Sequence, residues 1–187
     1  MRVTWTFANF ITIVRILAVP FFISVVLYYS PQKDYIRWMA LAIFFFAVLT
    51  DVIDGYIARR QHQRSQAGAV LDPLADKLLL MSAFISLYKV GVGFSVIRLP
   101  MWLVVAVISR DTILLLGSML LYLLKGRLDI LPTIWGKATT FFQTVIVFGI
   151  LLQWQFTEIF WYVTLILTVI SGIDYIRKGL KELNNGL

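Results

Sequence analysis

The sequence predicts an all-α integral membrane protein: six transmembrane helices in one bundle, both termini in the cytoplasm, residues 1–187 forming a single domain. Three observations predict it. The chain is 60% hydrophobic and only 14% charged, with a mean hydropathy of +0.84, more apolar surface than a soluble domain needs. Apolar runs of about 20 residues, the length that crosses a hydrocarbon core, recur along it. Between those runs the basic residues gather in alternate connections, as the positive-inside rule requires. Lipid offers no partner to an open backbone, so every run should be helical.

The spans are expected at 9–29, 35–58, 69–89, 98–124, 134–153 and 157–176. The first resembles a signal peptide in length. It carries Asn9, Thr12 and Arg15 and is followed by no small-residue cleavage site, so it reads as a retained span. Pro31, the stretch from Gly91 to Gly93 and the Leu99-Pro100 pair mark breaks between later spans. Six spans place both termini on one side, with Arg2, Arg59, Arg60, Arg64, Lys125, Arg127, Arg177, Lys178 and Lys181. The opposite side holds Lys33, Arg37, Lys89 and Arg98. The richer side is the cytoplasmic one. The net charge of +7 is mostly this bias; it calls for no nucleic acid, and it suits an anionic lipid surface. Cysteine is absent, so disulfides play no part. Trp154, Trp161 and Tyr162 are expected in an aromatic belt at a water boundary. Gly117 and Ser118 are expected to allow close helix packing.

The stretch DVIDGYIARRQHQRSQAGAVLDPLADK, residues 51–77, carries the chemistry. Asp51 and Asp54 are three residues apart and Asp72 and Asp76 four apart, so each pair shares a helix face. A connecting loop containing Gly68 is expected to fold the two helices into an antiparallel hairpin and bring the pairs to one depth. Four carboxylates in a low-dielectric site need a counter-charge. A divalent metal supplies it most simply, and all-oxygen ligands suit Mg²⁺, Mn²⁺ or Ca²⁺. The single histidine, His62, lies in the basic loop and reads as solvated. Gly55, Ala58 and Gly68 leave room for close approach to the backbone, and Arg59 is placed to meet an anion. Together these describe a site for a pyrophosphate or nucleotide. The Gly136-Lys137 pair is no competing phosphate loop, since it lacks the upstream glycine and the following Ser or Thr. Intramembrane carboxylates also mark ion or proton transporters. That reading explains four aspartates but not the glycines, alanine and arginine at these spacings.

The residues Asp51, Asp54, Gly55, Ala58, Arg59, Gly68, Asp72 and Asp76 fit D-x2-D-G-x2-A-R-x8-G-x3-D-x3-D without a gap. This resembles the signature of the CDP-alcohol phosphatidyltransferase family. The resemblance implies a six-helix membrane enzyme of phospholipid biosynthesis in the cell (inner) membrane, commonly a homodimer, with its active site facing the cytoplasm. It implies cleavage of the pyrophosphate of CDP-diacylglycerol, release of CMP and transfer of the phosphatidyl group to an acceptor hydroxyl. On matching positions, Asp51, Asp54, Asp72 and Asp76 would surround one or two Mg²⁺ or Mn²⁺ ions. Asp76 would also be the general base, and Gly55, Ala58, Arg59 and Gly68 would line the cytidine diphosphate site.

Asn9, Thr12, Arg15 and Pro20 resemble the N-x2-T-x2-R-x4-P pattern of bacterial phosphatidylglycerophosphate synthases and their cardiolipin-making relatives. The first three share a helical face that should turn inward toward nucleotide or phosphate; the alternative is a helix cap and a snorkelling arginine. The family binds its acceptor in a basic pocket, for which Arg110, Lys137 and Arg177 are the candidates; the alternative is a structural Arg110–Asp111 or Asp174–Arg177 pair. The expected acceptor is glycerol-type: glycerol 3-phosphate, or phosphatidylglycerol in a cardiolipin synthase. Ser109-Arg110-Asp111 and the run from Pro132 to Gln143 look closer to the latter. The run GKATT carries one lysine where the glycerol 3-phosphate enzymes commonly have two.

Overall fold

A computed structural model describes residues 7–61, 66–91, 98–125 and 133–184, with side chains described over 13–52, 74–91, 98–120, 123 and 133–179. Among the described residues six helices follow one another: α1 (Phe7–Leu27), α2 (Tyr35–Gln61), α3 (Gln66–Val90), α4 (Met101–Lys125), α5 (Ile134–Leu151) and α6 (Thr157–Asn184). No strand occurs among the described residues. Each expected span thus corresponds to one helix. Four contain stretches long and apolar enough to cross a membrane: Tyr35–Val52, Met101–Leu120, Ile134–Leu151 and Thr157–Gly179. In α1 the described apolar stretch, Ile13–Leu27, is shorter. In α3, Asp72, Asp76 and Lys77 break the apolar run near its start. Most span ends shift by one to three residues, and two differences go further in consequence. Gly68 lies inside α3 rather than in a loop, and α6 continues to Asn184 because its charged end is still good helix former.

The chain divides into two compact units: Met1–Arg98 with Leu151–Gln153, and Leu99–Ile150 with Trp154–Leu187. In the first, α1 packs on both α2 and α3. Buried residues recur at helical spacing: Phe22 and Val26 on α1; Ala40, Phe44 and Ala47 on α2; Leu80, Ala83 and Leu87 on α3. The alanines let the backbones approach, and the Phe22 and Phe44 rings meet at 5.7 Å between centroids. Pro20 removes one backbone donor within α1; the hydroxyl of Ser24 donates to the Pro20 carbonyl at 2.8 Å. At the start of α2, Nε and Nη2 of Arg37 donate to the two Asp34 carboxylate oxygens, each at 2.7 Å. Its Nη1 donates to the Leu151 carbonyl at 2.7 Å, so the Leu151–Gln153 segment is tied to this unit by a buried guanidinium that donates from all three of its nitrogens.

In the second unit α4 packs on α6. Gly117 is where they come close: a methyl group there would lie 2.9 Å from the Tyr175 ring, whose hydroxyl donates to the Leu114 carbonyl at 3.1 Å. The expected packing role of Gly117 is therefore realised. The start of α6 meets the end of α5 the same way, with Gly149 against Thr157. The aromatic belt needs one correction. Trp154 and Tyr162 are exposed, but Trp161 is buried in the protein interior, because it shares the α6 face of the buried Thr157, Thr164 and Thr168.

Candidate active site

Arg15, Asp51 and Asp76 come from three helices, and each continues a buried stripe of its own helix. On α1, Arg15 precedes Phe22 by seven residues; on α2, Asp51 follows Ala47 by four; on α3, Asp76 precedes Leu80 by four. Residues at such spacings share a helix face. The faces that bury the core therefore carry the three charges to one end of it, where α1 begins, α2 ends and α3 begins. Nη1 of Arg15 lies 3.0 Å from Oδ1 of Asp51 and donates a hydrogen bond to Oδ1 of Asp76. Two carboxylate oxygens from different helices thus share a single nitrogen.

Exposure distinguishes the partners. The Arg15 side chain is 2% exposed, against 42% for Asp51 and 32% for Asp76. The cation is sealed behind, while both carboxylates keep an open side. Arg15 is accordingly no snorkelling residue; it faces inward, as its position on the Asn9–Thr12–Arg15 face implies. The side chains of Asn9, Thr12, Asp54, Gly55, Ala58, Arg59, Gly68 and Asp72, and residue His62, lie outside the described ones. Helix α2 nevertheless runs through positions 54, 55, 58 and 59, and α3 through 68 and 72.

Two of the four predicted ligands can be tested for fit to a hard divalent ion. Both are carboxylates, and one oxygen of each converges on the same Arg15 nitrogen. That donor chemistry and convergence suit such an ion. No group of three ligand-type side chains gathers among the described residues.

The second unit holds a separate polar cluster. Arg110, 5% exposed, donates from Nη1 to Oδ1 of fully buried Asp111 at 2.6 Å. Its Nη2 donates to the hydroxyl of Ser171 on α6 and would lie 3.2 Å from a methyl group on Gly136. The Arg110–Asp111 pair therefore exists, and it holds the guanidinium against the first turn of α5, where Thr133 accepts from the Gly136 amide at 3.0 Å. Lys137 follows Gly136 and is exposed. Arg177 is exposed too, and Asp174, its partner in the alternative structural reading, pairs with Lys178 at 3.1 Å, since a four-residue step aligns two side chains on a helix at least as well as three. Sequence reading missed Ser171. Its signal was the series Thr164, Thr168, Ser171, polar residues at helical spacing in an otherwise apolar helix.

The family model described as CDP-alcohol phosphatidyltransferase matches residues 5–170. The chain is similar to a probable phosphatidylglycerophosphate synthase of Mycobacterium tuberculosis, 33% identical, covering 94% of this chain and 82% of that protein. It is also similar to the CDP-diacylglycerol–glycerol-3-phosphate 3-phosphatidyltransferases of Aquifex aeolicus, at 30% identity over 92% and 95% of the two chains, and Haemophilus influenzae, at 33% over 93% of each.

Proposed function

Because the chain belongs to the CDP-alcohol phosphatidyltransferase family, we propose that it transfers the phosphatidyl group of CDP-diacylglycerol to glycerol 3-phosphate, releasing CMP. The observation that carries this is the meeting of Asp51 and Asp76, first and last of the motif aspartates, across two helices at one guanidinium. The substrate assignment draws on relatives whose names state that transfer. In the reaction the acceptor hydroxyl oxygen bonds to the phosphorus on the diacylglycerol side. The bond from that phosphorus to the oxygen bridging to CMP breaks, and CMP leaves with the electron pair.

Asp76 takes the hydroxyl proton in this reading. Asp51, Asp54, Asp72 and Asp76 would hold one or two divalent ions, Mg²⁺ or Mn²⁺, which when bound supply charge neutralisation of the pyrophosphate. Gly55, Ala58, Arg59 and Gly68 would line the cytidine diphosphate site, with Asn9 and Thr12 toward its phosphates. Arg110, Lys137 and Arg177 would receive the acceptor phosphate. A guanidinium held by Asp111 and Ser171 is pre-set for that task. The protein would work as a homodimer of single-domain, six-span chains in the cell (inner) membrane, termini and active site toward the cytoplasm. The basic loops support that orientation.

The test is purified protein in detergent with CDP-diacylglycerol, Mg²⁺ or Mn²⁺, and either glycerol 3-phosphate or phosphatidylglycerol. CMP release and lipid chromatography are followed. Phosphatidylglycerophosphate is the expected product. Cardiolipin with no use of glycerol 3-phosphate would move the acceptor assignment to phosphatidylglycerol, and no CMP with any acceptor would overturn the proposal.

A further inference from the structure

An arginine inside an apolar helix is costly, and it persists where it is paired. Arg15 is paired with the two aspartates that the proposed function assigns to a divalent ion. Both contacts run from the same nitrogen, one to an oxygen of each carboxylate. The guanidinium cannot lose its charge. Two carboxylates so close would repel each other without a cation between them.

We propose that Arg15 is a built-in counter-ion of the carboxylate cluster, and that it competes with the divalent ion for Asp51 and Asp76. This rests on the metal-dependent reading above. Without the ion, Arg15 neutralises the repulsion and holds the ends of α1, α2 and α3 together. Asp51 and Asp76, which keep an open side, would hold the ion, and an ion held there would weaken the grip of the guanidinium on Asp76 by supplying the positive charge in its place. Arg15 stays in place behind the site, as its burial dictates. Its role is therefore to set the affinity for the ion and to keep the empty site from splaying apart.

Competition has a sign that distinguishes it from simple support. Removing Arg15 should make the ion-free protein less stable, yet make the ion bind more tightly. A neighbouring charge shifts proton affinity at a carboxylate by about one to three powers of ten, and an effect of at least about tenfold is expected for a divalent ion.

The experiment titrates the purified full-length protein with Mn²⁺ and reads free Mn²⁺ by electron paramagnetic resonance, alongside melting temperature in detergent. Arg15→Gln should melt lower than wild type without Mn²⁺ and reach half-saturation at about tenfold lower Mn²⁺. Arg15→Lys, which keeps the charge and loses the fork, should fall between them, and it decides the matter if Arg15→Gln does not fold. Half-saturation that is unchanged or moved to higher Mn²⁺ in the folded variants, with wild type binding normally, would overturn the competition and leave the function reading intact. No Mn²⁺ binding by wild type would overturn the metal-dependent reading and the competition with it.

Discussion

A methyl group at position 136 would lie 3.2 Å from Nη2 of Arg110. Gly136 on α5 is thus the floor against which the Arg110 guanidinium of α4 rests, with the Ser171 hydroxyl of α6 beside it. If that guanidinium binds the acceptor phosphate, Arg110→Gln should weaken acceptor use by about 1.5–3 kcal/mol, roughly ten- to a hundredfold, as for a charge-assisted hydrogen bond. Gly136→Ala should act in the same direction by displacing the guanidinium. Titrating each substrate with the other saturating checks this. The use of CDP-diacylglycerol should barely change, and equal losses for both substrates would mark Arg110 as purely structural.

Asp76→Asn should keep CDP-diacylglycerol binding detectable while lowering turnover by about 10²–10⁴-fold, the range for loss of a positioned general base. Lipid binding measured beside CMP release separates the two effects. Near-normal turnover would assign the proton to another group.

Chelation should abolish transfer, and Mg²⁺ or Mn²⁺ should restore it, because the donors at hand are carboxylate oxygens. The check is CMP release in excess EDTA before and after metal is added back. Full turnover under chelation would contradict it.

Gly149→Ala should lower the melting temperature, since the new methyl would run into the Thr157 side chain. A cost of about 1–3 kcal/mol is expected from such overpacking. Thr157→Ala in the same chain should recover part of it, and a double variant no better than Gly149→Ala would show that the strain lies elsewhere.

The Asp34 carboxyl, outside the spans, is held below its usual range chiefly by its hydrogen bonds from Arg37. A carboxyl lowered in the folded state adds stability above its unfolded value, near 3.8, and loses it as pH falls through the folded value. Below pH about 4, the melting temperature of wild type should therefore fall toward that of Asp34→Asn. The difference should be small, because the Asp34 side chain is 48% exposed. A gap between the two that stays constant down to pH about 2 would show that the pair does not titrate in this way.

The helices, their order and the residues of the aspartate motif were legible in the chain. Apolar runs of membrane length admit no other backbone, and the motif lies within a single local stretch, 51–76, where helical spacing is enough to pair the carboxylates. What those residues touch follows from helix packing. Periodicity shows that Arg15 has an inward face but not what stands opposite; only the packing of α1 on α2 and α3 gives it Asp51 and Asp76. The same holds for Arg110, whose neighbour Asp111 was readable in the chain while Ser171, sixty-one positions away, was not. It holds in reverse for Trp161, which composition places at the lipid boundary and packing buries. A helix face is a local property, fixed by 3.6 residues per turn. Its partner is set by how several helices share one core, which no single helix encodes.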